Sequence, residues 1–501
     1  MSEHEWGNMS DKDFDAMLER DVSELPPDDI AAGVTPWKKA MKRILFGLAL
    51  CTVTIELAGL NYILPAIGIV LQLLGFRALR RENGWFLSCF VIAIIRAASF
   101  FSDIILNTTI HRSAIVPQDV DSVVTVATVV LLIIELICFW QGLRAVKRKA
   151  GLPPTAGAAF ALAVWYSIVG LLAFAEFEGP IVVLVFLIAY IFIIVNLFKL
   201  SKVLSEAGYA VKPGVVRVTD LAVVIIIAAV VIVGCAAGYI FGGRYDMNWQ
   251  PEEATVTDKT QEIRAHLIDL GFPEDVLNDL TEEDIAACAG AQDLLVDVND
   301  EPENGGEKWD MRITNIAVRM SGEKDKWIVI HHFVWNSNPG FIGTEALQIW
   351  PAYQRNYYDY DDDIYSGGNF TGRVLYDKDG RTYTAPYYWL GQKTYTSAGI
   401  FDTGETRKDP FAAFSMPSDG ERCRGYIAYS MVGNDELDYD KIEQSFSSQL
   451  VYTHQWDWLQ YPVKTAMEAC IADDIWTDSP FRTIDDVFCF YPTPNGIESL
   501  F

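Results

Sequence analysis

Residues 180–199, PIVVLVFLIAYIFIIVNLFK, decide the class of this protein. The segment holds one charged residue, Lys199, and that residue is at its end. As an α-helix it would be about 30 Å long, which matches the hydrocarbon thickness of a bilayer. The segment therefore predicts a membrane-spanning helix, and the 51% hydrophobic composition of the 501 residues agrees, because it is high for a soluble chain.

Further apolar segments of helical length surround this one. The segment 44–76 is longer than one span, and it predicts a tight hairpin of two helices that turns near Gly59 to Pro65. With it, the sequence predicts an α-helical transmembrane bundle of about seven segments within residues 37–243. The remaining predicted spans are 85–107, 122–143, 157–176 and 219–242.

The charges are distributed unevenly along the chain. Residues 1–36 carry a net charge of −8, the membrane region is net positive, and residues 245–501 carry −27. The basic residues cluster beside the apolar segments, and basic loops usually face the cytoplasm. We therefore expect a multi-pass protein of the cell membrane with a cytoplasmic N-terminus and an extracytoplasmic C-terminal region. The overall charge of −27 argues against a nucleic-acid partner.

The acidic tail, residues 1–36, lacks the apolar core of a cleavable signal, so the first hairpin is expected to direct insertion. Within the tail, Phe14, Met17 and Leu18 follow a helical spacing. Two interpretations stay open: a short amphipathic helix without a partner, or a docking segment for a cytoplasmic protein.

The C-terminal region changes from helical to strand-like patterning. Residues 244–308 predict a linker with a small helical element, and residues 309–501 predict a mainly-β domain, an antiparallel sandwich or jelly-roll-like fold. The segment 327–335 is apolar at every position except the two histidines, which is typical of a central strand. A change of apolar parity predicts a bulge near Thr314 and Asn315. Other strands are predicted at 345–350, 371–376, 381–386, 423–432 and 449–459, with Asp379-Gly380 as a hairpin turn.

Four short segments carry a resemblance to a known group of proteins. They are Val34-Thr-Pro-Trp-Lys-Lys-Ala-Met41, Leu60-Asn-Tyr-Ile-Leu-Pro-Ala-Ile-Gly68, Gly75-Phe-Arg-Ala-Leu-Arg-Arg-Glu-Asn-Gly-Trp85 and Gly343-Thr-Glu-Ala-Leu-Gln-Ile-Trp-Pro-Ala-Tyr353. The sequence resembles uncharacterised bacterial multi-pass membrane proteins with a β-rich extracytoplasmic domain. The resemblance implies a location in the bacterial cell envelope and brings no activity with it.

Ionisable residues inside the membrane segments are candidate functional residues, because charge is costly there. Counted along their helices, Glu56, Arg96 and Glu135 lie at similar depths. The sequence therefore predicts an intramembrane charge network of these three residues. Either the network is an ion pair that stabilises the bundle, or it forms part of a proton or ion path.

Metal and cofactor sites are not predicted. His331 and His332 are adjacent on a strand, so their side chains are expected on opposite faces. The acidic segment 359–363 lacks the glycine and glutamate that an EF-hand requires five and eleven positions after its first ligand. No phosphate-binding loop, serine-hydrolase or zinc-protease motif occurs. Both disulfides and free thiols remain open for the C-terminal cysteines Cys288, Cys423, Cys470 and Cys489.

Aromatic residues are the remaining candidates for ligand binding. Tyr452, His454, Trp456 and Trp458 share one face of a predicted strand. We interpret this face as the core of the sandwich, with a ligand-stacking surface as the alternative. A glycan or peptide ligand is predicted instead at the loop 353–365, which holds Tyr353, Tyr357, Asp359, Asp361 and Asp363.

Three functional classes follow from these features. The first is a sensor or interaction protein whose extracytoplasmic domain binds a ligand or partner. The second is a transporter or ion-coupled permease that uses the intramembrane charges, and the third is an envelope hydrolase. The first is preferred because the sequence contains a large exterior domain and no transport or catalytic motif.

Overall fold

A computed structural model describes most of the chain. The described residues are 37–52, 59–175, 177, 179–207, 217–252, 258–304, 307–322, 326–352, 365–396, 406–433, 446–472, 479–493 and 496–499. They divide into two compact units, one within Met1–Leu106 and Ser113–Cys235, the other within Asn107–Arg112 and Ala236–Phe501.

The N-terminal half is built from long apolar helices. Among the described residues, six helices are long and apolar enough to cross a membrane. A shorter helix of 16 residues precedes them. The helices are α1 (Trp37–Thr52), α2 (Leu60–Leu79), α3 (Gly84–Leu106), a single turn α4 (Arg112–Ile115), α5 (Gln118–Lys149), α6 (Gly157–Phe174), α7 (Pro180–Glu206) and α8 (Asp220–Phe241).

The predicted hairpin corresponds to α1 and α2, which pack closely through glycine. A Cβ atom on Gly47 would lie 2.5 Å from the carbonyl oxygen of Gly68. A Cβ atom on Gly68 would lie 2.7 Å from the carbonyl oxygen of Gly47. Small residues let transmembrane helices approach to backbone contact, so these two glycines allow the tight packing of the hairpin.

Several basic clusters lie at the same end of the helical unit. Asp220 accepts hydrogen bonds from Arg43 at 2.7 Å and from Arg77 at 3.1 Å. Lys149 donates to the carbonyl oxygen of Glu82 at 2.5 Å. Two helices longer than a single turn separate each basic cluster from the next, so the chain returns to the same end, as the sequence predicts.

The C-terminal half is a β-domain of two antiparallel sheets that do not close, so the sandwich form of the prediction is confirmed. Its strands are β1 (Gln250–Pro251), β2 (Ala291–Asp300), β3 (Glu303–Asn304), β4 (Glu307–Lys308), β5 (Met311–Met320), β6 (Lys326–Trp335), β7 (Glu345–Trp350), β8 (Tyr365–Lys378), β9 (Arg381–Pro386), β10 (Trp389–Thr396), β11 (Thr406–Phe414), β12 (Glu421–Gly433), β13 (Phe446–Gln455), β14 (Phe481–Thr493) and β15 (Gly496–Ser499).

The strand order places the two sheets around one core. One sheet has the order β1-β9-β8-β12-β6-β5-β2, and the other has β10-β11-β7-β13-β14-β15. The strand β6 is internal, as the sequence predicts for segment 327–335. Aromatic and aliphatic side chains from both sheets form the main core, including Phe333 and Trp335 from the first and Phe414 and Tyr452 from the second.

Asp379 and Gly380 form the predicted hairpin turn. Lys378 pairs with Arg381, so the turn has two residues between β8 and β9. Both turn residues have positive φ angles, 52° for Asp379 and 72° for Gly380. Two successive left-handed residues match the right-handed twist of a hairpin, which explains the Asp-Gly pair.

The predicted bulge near Thr314 and Asn315 is wrong. The strand β5 pairs with β6 without interruption from Met311 to Met320. Ile313 faces the core between the sheets, whereas Ile316 faces a second core under three short helices. The apolar parity changes because the sheet is covered on both faces, and the backbone register is regular. The short helices are α9 (Asp258–Asp269), α10 (Glu274–Asp279) and α11 (Glu282–Ala287); a last helix, α12, covers Ala466–Ile471.

Candidate functional site

A cavity of about 380 Å³ opens at one end of the β-domain. It lies where β5 begins and β6 ends in one sheet, and where β13 ends and β14 begins in the other. Its volume falls within the range of about 300–1,000 Å³ that is common for ligand sites. The cavity is lined by Lys308, Trp309, Asp310, Trp335, Pro339, His454, Trp456 and Arg482.

Indole rings form much of the lining. Trp309 and Trp335 are buried and stack with their centroids 5.4 Å apart. Trp456 differs, because 54% of its surface is exposed. The guanidinium of Arg482 lies over the Trp456 ring, 3.8 Å from its centroid. The cavity therefore combines a fixed aromatic wall with an accessible indole and a cation beside it.

Strand ends explain why Trp456 is exposed. The strand β13 ends at Gln455, where it pairs with Phe481, the first residue of β14. Beyond that point the backbone leaves the sheet, and Trp456 N–H donates to the Pro480 carbonyl oxygen at 2.9 Å. Trp456 still lines the same cavity as His454, as strand alternation predicts, but it lies past the last residue of β13 and is therefore exposed.

The interpretation of Tyr452, His454, Trp456 and Trp458 as core residues is correct for the first two and wrong for the last two. Tyr452 and His454 are buried, 0% and 3% exposed, as a core interpretation requires. Trp456 and Trp458 are 54% and 60% exposed and are not part of the sandwich core. The strand pattern of the sequence gave no sign of where the sheet ends.

Behind the indole wall, a buried carboxylate holds the histidine of the cavity. His454 Nδ1–H donates to both carboxylate oxygens of Glu345 at 2.9 Å. Trp335 Nε1–H donates to the Tyr452 hydroxyl at 3.3 Å. Burial is the largest effect on Glu345 and raises its pKa above the usual value, although His454 and the Tyr452 hydroxyl oppose the shift. The Glu345 carboxylate fixes the orientation of the imidazole that lines the cavity.

The cavity carries more positive than negative groups. Lys308 and Arg482 contribute two cations, and Asp310 is the one acid among the eight described lining residues. Lys308 is paired with Glu301 at 3.2 Å in an exposed contact that solvent screens. A net positive lining is unusual in a region whose charge is −27, and it favours an anionic ligand.

His331 and His332 point in opposite directions, as predicted. His331 Nδ1–H donates to Asn315 Oδ1 at 2.6 Å in the core between the sheets. His332 Nε2–H donates to Asp279 Oδ2 at 2.9 Å on the helix-covered face. Arg424 also donates to Asp279, at 2.9 Å. Burial opposes ionisation of Asp279, but His332 and Arg424 together lower the pKa of this carboxyl.

Arg96 and Glu135, two members of the predicted intramembrane network, are in contact. Arg96 Nη1 lies 2.6 Å from Glu135 Oε2, and Glu135 is 1% exposed. Arg96 also donates to Gln72 Oε1 at 3.2 Å, a partner that the sequence analysis did not identify. Gln72 in turn donates to the Cys51 sulfur at 3.2 Å. The described helices thus bring four polar side chains together.

Other predicted site residues fall outside the described part of the chain. Glu56, the third member of the intramembrane network, is one of them. The predicted ligand loop is another case, since Tyr353, Tyr357, Asp359, Asp361 and Asp363 all belong to it.

Cysteine and metal chemistry do not add a site in the described residues. All eight cysteines are free thiols, and burial raises the pKa of both Cys288 and Cys423 to about 12. Within the described residues, histidine, cysteine and acidic side chains form no group that could hold a metal ion.

Comparison with known proteins assigns no family to this chain. No protein-family model matches the chain, and the curated proteins contain no match. The chain is a multi-pass membrane protein with a β-rich C-terminal domain of two antiparallel sheets.

Proposed function

We propose that this chain is a bacterial envelope protein whose β-domain binds an acidic glycan in the cavity around Trp456. The exposed indole with Arg482 stacked on it supports this proposal most directly. An accessible indole at a cavity lined by two further indole rings and a few charged groups has the mostly apolar character with a few polar groups that is common in ligand sites. The protein then acts as a membrane-held sensor or interaction protein.

The chemistry of the lining selects the ligand class. Indole faces pack against the C–H faces of sugar rings, and Arg482 and Lys308 supply the charge that a carboxylate requires. Asp310 can accept hydrogen bonds from ring hydroxyls. An acidic peptide fits the cations but makes less use of the aromatic wall. We therefore propose an acidic glycan, and not an acidic peptide, as the ligand of this cavity.

Orientation and the N-terminal tail complete the proposal. The basic clusters at one end of the helical unit support a cytoplasmic location for that end. We count α1 as a span together with the six long helices, so the β-domain follows seven spans and is then extracytoplasmic. The acidic tail, residues 1–36, offers its helical-spaced apolar residues to a cytoplasmic protein.

Binding of a charged sugar and its neutral counterpart tests the proposal. We expect the full chain in lipid nanodiscs to bind tri-galacturonate more tightly than the methyl ester of the same oligomer, because Arg482 and Lys308 recognise the carboxylates. Calorimetric titration measures both affinities. Equal binding of the two sugars, or no binding of either, would contradict the proposal.

The residue that carries the proposal is tested separately. Trp456→Ala should weaken binding about tenfold, the equivalent of about 1.4 kcal/mol, because it removes the stacking surface. The unfolding temperature should change little, since the side chain is half exposed. Tyr388→Ala is the matched control, because Tyr388 is an aromatic residue that is 50% exposed and does not line the cavity. An unchanged affinity in Trp456→Ala would place the ligand elsewhere.

A further inference from the structure

The loop that follows β13 exposes two large apolar side chains side by side. Trp458 is 60% exposed and Leu459 is 65% exposed. The loop is nevertheless well ordered by hydrogen bonds, because Leu459 N–H donates to Asp457 Oδ1 at 3.0 Å. Gln460 also donates to the Lys464 carbonyl oxygen at 2.9 Å. A fixed turn thus holds Trp458 and Leu459 outward.

This loop is attached to the end of an apolar helix within the same compact unit, which includes Ala236–Phe501. The Tyr239 hydroxyl donates to the Gln460 carbonyl oxygen at 2.6 Å. The rings of Tyr239 and Trp458 meet edge to face, with centroids 6.0 Å apart. Val463 N–H donates to the Asn107 carbonyl oxygen at 2.8 Å, and Asn107 follows the end of α3.

The length of α8 sets the depth of that contact in a bilayer. Its 22 residues extend about 33 Å, close to the hydrocarbon thickness, so its last turn lies at the boundary of the hydrocarbon. Ile240 and Phe241 in this turn are 73% and 83% exposed, as expected for residues that face lipid. Tyr239 is then at the level where tyrosine and tryptophan concentrate in membrane proteins.

We infer that Trp458 and Leu459 insert into the lipid headgroup interface and bind the β-domain to the membrane surface. Trp458 contacts Tyr239 directly, so the two rings occupy the same level of the interface. The indole suits this position because its ring is apolar and its N–H can donate to headgroup oxygens or water. Leu459, next to it, buries its side chain among the acyl chains.

Photocrosslinking from the loop tests the inference. Benzoylphenylalanine at Leu459 in the full chain, reconstituted in vesicles of phosphatidylethanolamine and phosphatidylglycerol, should form lipid adducts on irradiation. The same probe at Val487 is the control, because Val487 is 46% exposed and lies six residues, about 20 Å, along β14 from Phe481, which pairs with Gln455 at the end of β13. Both native side chains are largely or half exposed, so the probe replaces few packing contacts at either position.

The two positions give distinguishable results. Mass spectrometry should detect several-fold more lipid adduct at 459 than at 487. Equal adduct at both positions, or only intramolecular adducts at 459, would overturn the inference. Adducts of the 459 probe with another protein in native membranes, without lipid adducts, would also overturn it and identify the loop as a protein-docking surface.

Discussion

At the scale of single residues, Glu135 is a buried carboxylate in an apolar helical unit. Its carboxylate is held by Arg96 at 2.6 Å through Oε2. Its other oxygen, Oε1, is buried and has no hydrogen-bond partner in the part of the chain that the structure describes. An ion pair in an apolar environment stabilises the fold only when both charges are present, because either charge alone would be left unpaired.

A double-mutant cycle on this pair measures how much it stabilises the bundle. Arg96→Leu should lower the free energy of unfolding by about 1–3 kcal/mol, because Glu135 loses its partner. Arg96→Leu combined with Glu135→Leu should recover part of that loss. Thermal unfolding of the detergent-solubilised chain provides the measurement. If the loss in the double variant equals the sum of the losses in Arg96→Leu and Glu135→Leu alone, the two residues do not stabilise each other. The structural interpretation of the pair is then wrong.

At the scale of elements, β6 connects the two layers of the β-domain through His331. Asn315 uses its Nδ2 to donate to Asp486 at 2.5 Å, so its Oδ1 accepts from His331. His331 Nε2 then accepts from the Ser448 hydroxyl at 2.7 Å. The Tyr429 hydroxyl donates to Ser448 at 2.8 Å. Each proton position in this chain follows from its neighbours, and the imidazole must be neutral.

The buried His331 in this series of hydrogen bonds makes the stability of the β-domain depend on pH. Burial lowers the pKa of His331 to about 3 from an ordinary value of 6.5. The unfolded chain therefore binds a proton below pH 6.5 that the folded chain does not, and stability falls as the pH drops from 6.5 towards 3. The contribution of this residue is at most about 1.4 kcal/mol for each pH unit.

Two variants isolate the effect of His331. His331→Gln removes the titrating group, so the loss of stability between pH 6.5 and 3.5 should become smaller. Tyr429→Phe removes the hydrogen bond from the Tyr429 hydroxyl to Ser448 and no titrating imidazole. It should therefore lower stability at every pH and leave the slope of stability against pH unchanged. Urea unfolding of the full chain in micelles, followed by tryptophan fluorescence, gives both slopes. An identical slope in His331→Gln and the unmodified chain would contradict the assignment.

At the scale of the whole molecule, the orientation in the membrane determines which ligands reach the β-domain. The contacts of Asp220 with Arg43 and Arg77 hold basic clusters at one end of the helical unit. Basic ends of this kind remain in the cytoplasm during insertion. The proposal therefore requires that the β-domain be accessible from outside the cell.

Labelling of intact cells tests this orientation. A membrane-impermeant maleimide should modify Asp300→Cys, on an exposed position of β2, and should not modify Arg148→Cys at the end of α5 until the cells are permeabilised. The unmodified chain corrects for reaction at the native cysteines. Labelling of Arg148→Cys together with protection of Asp300→Cys would show that the topology is the opposite of the one proposed.

Local patterns determined much of this architecture. Apolar segments of bilayer length predicted the long helices, since the cost of exposing polar backbone to lipid allows few other structures. The strand β9 has the predicted bounds, 381–386, because the Asp-Gly turn before it fixes its start. Among the strands longer than two residues, β2, β10, β11, β14 and β15 were not predicted, and β2 lies in the segment 244–308 that was expected to be a linker with a small helical element. Pro410 within β11 and the acids Asp485 and Asp486 within β14 interrupt their apolar patterns.

The candidate site depended on tertiary structure. The cavity joins residues from position 308 to position 482, and no local spacing relates them. The sequence predicted Trp456 inside a strand at 449–459, and only the tertiary structure, in which β13 ends at Gln455, decided that the indole is exposed. The reason is physical: periodicity reports which face a side chain takes, whereas burial depends on what the rest of the chain places against that face.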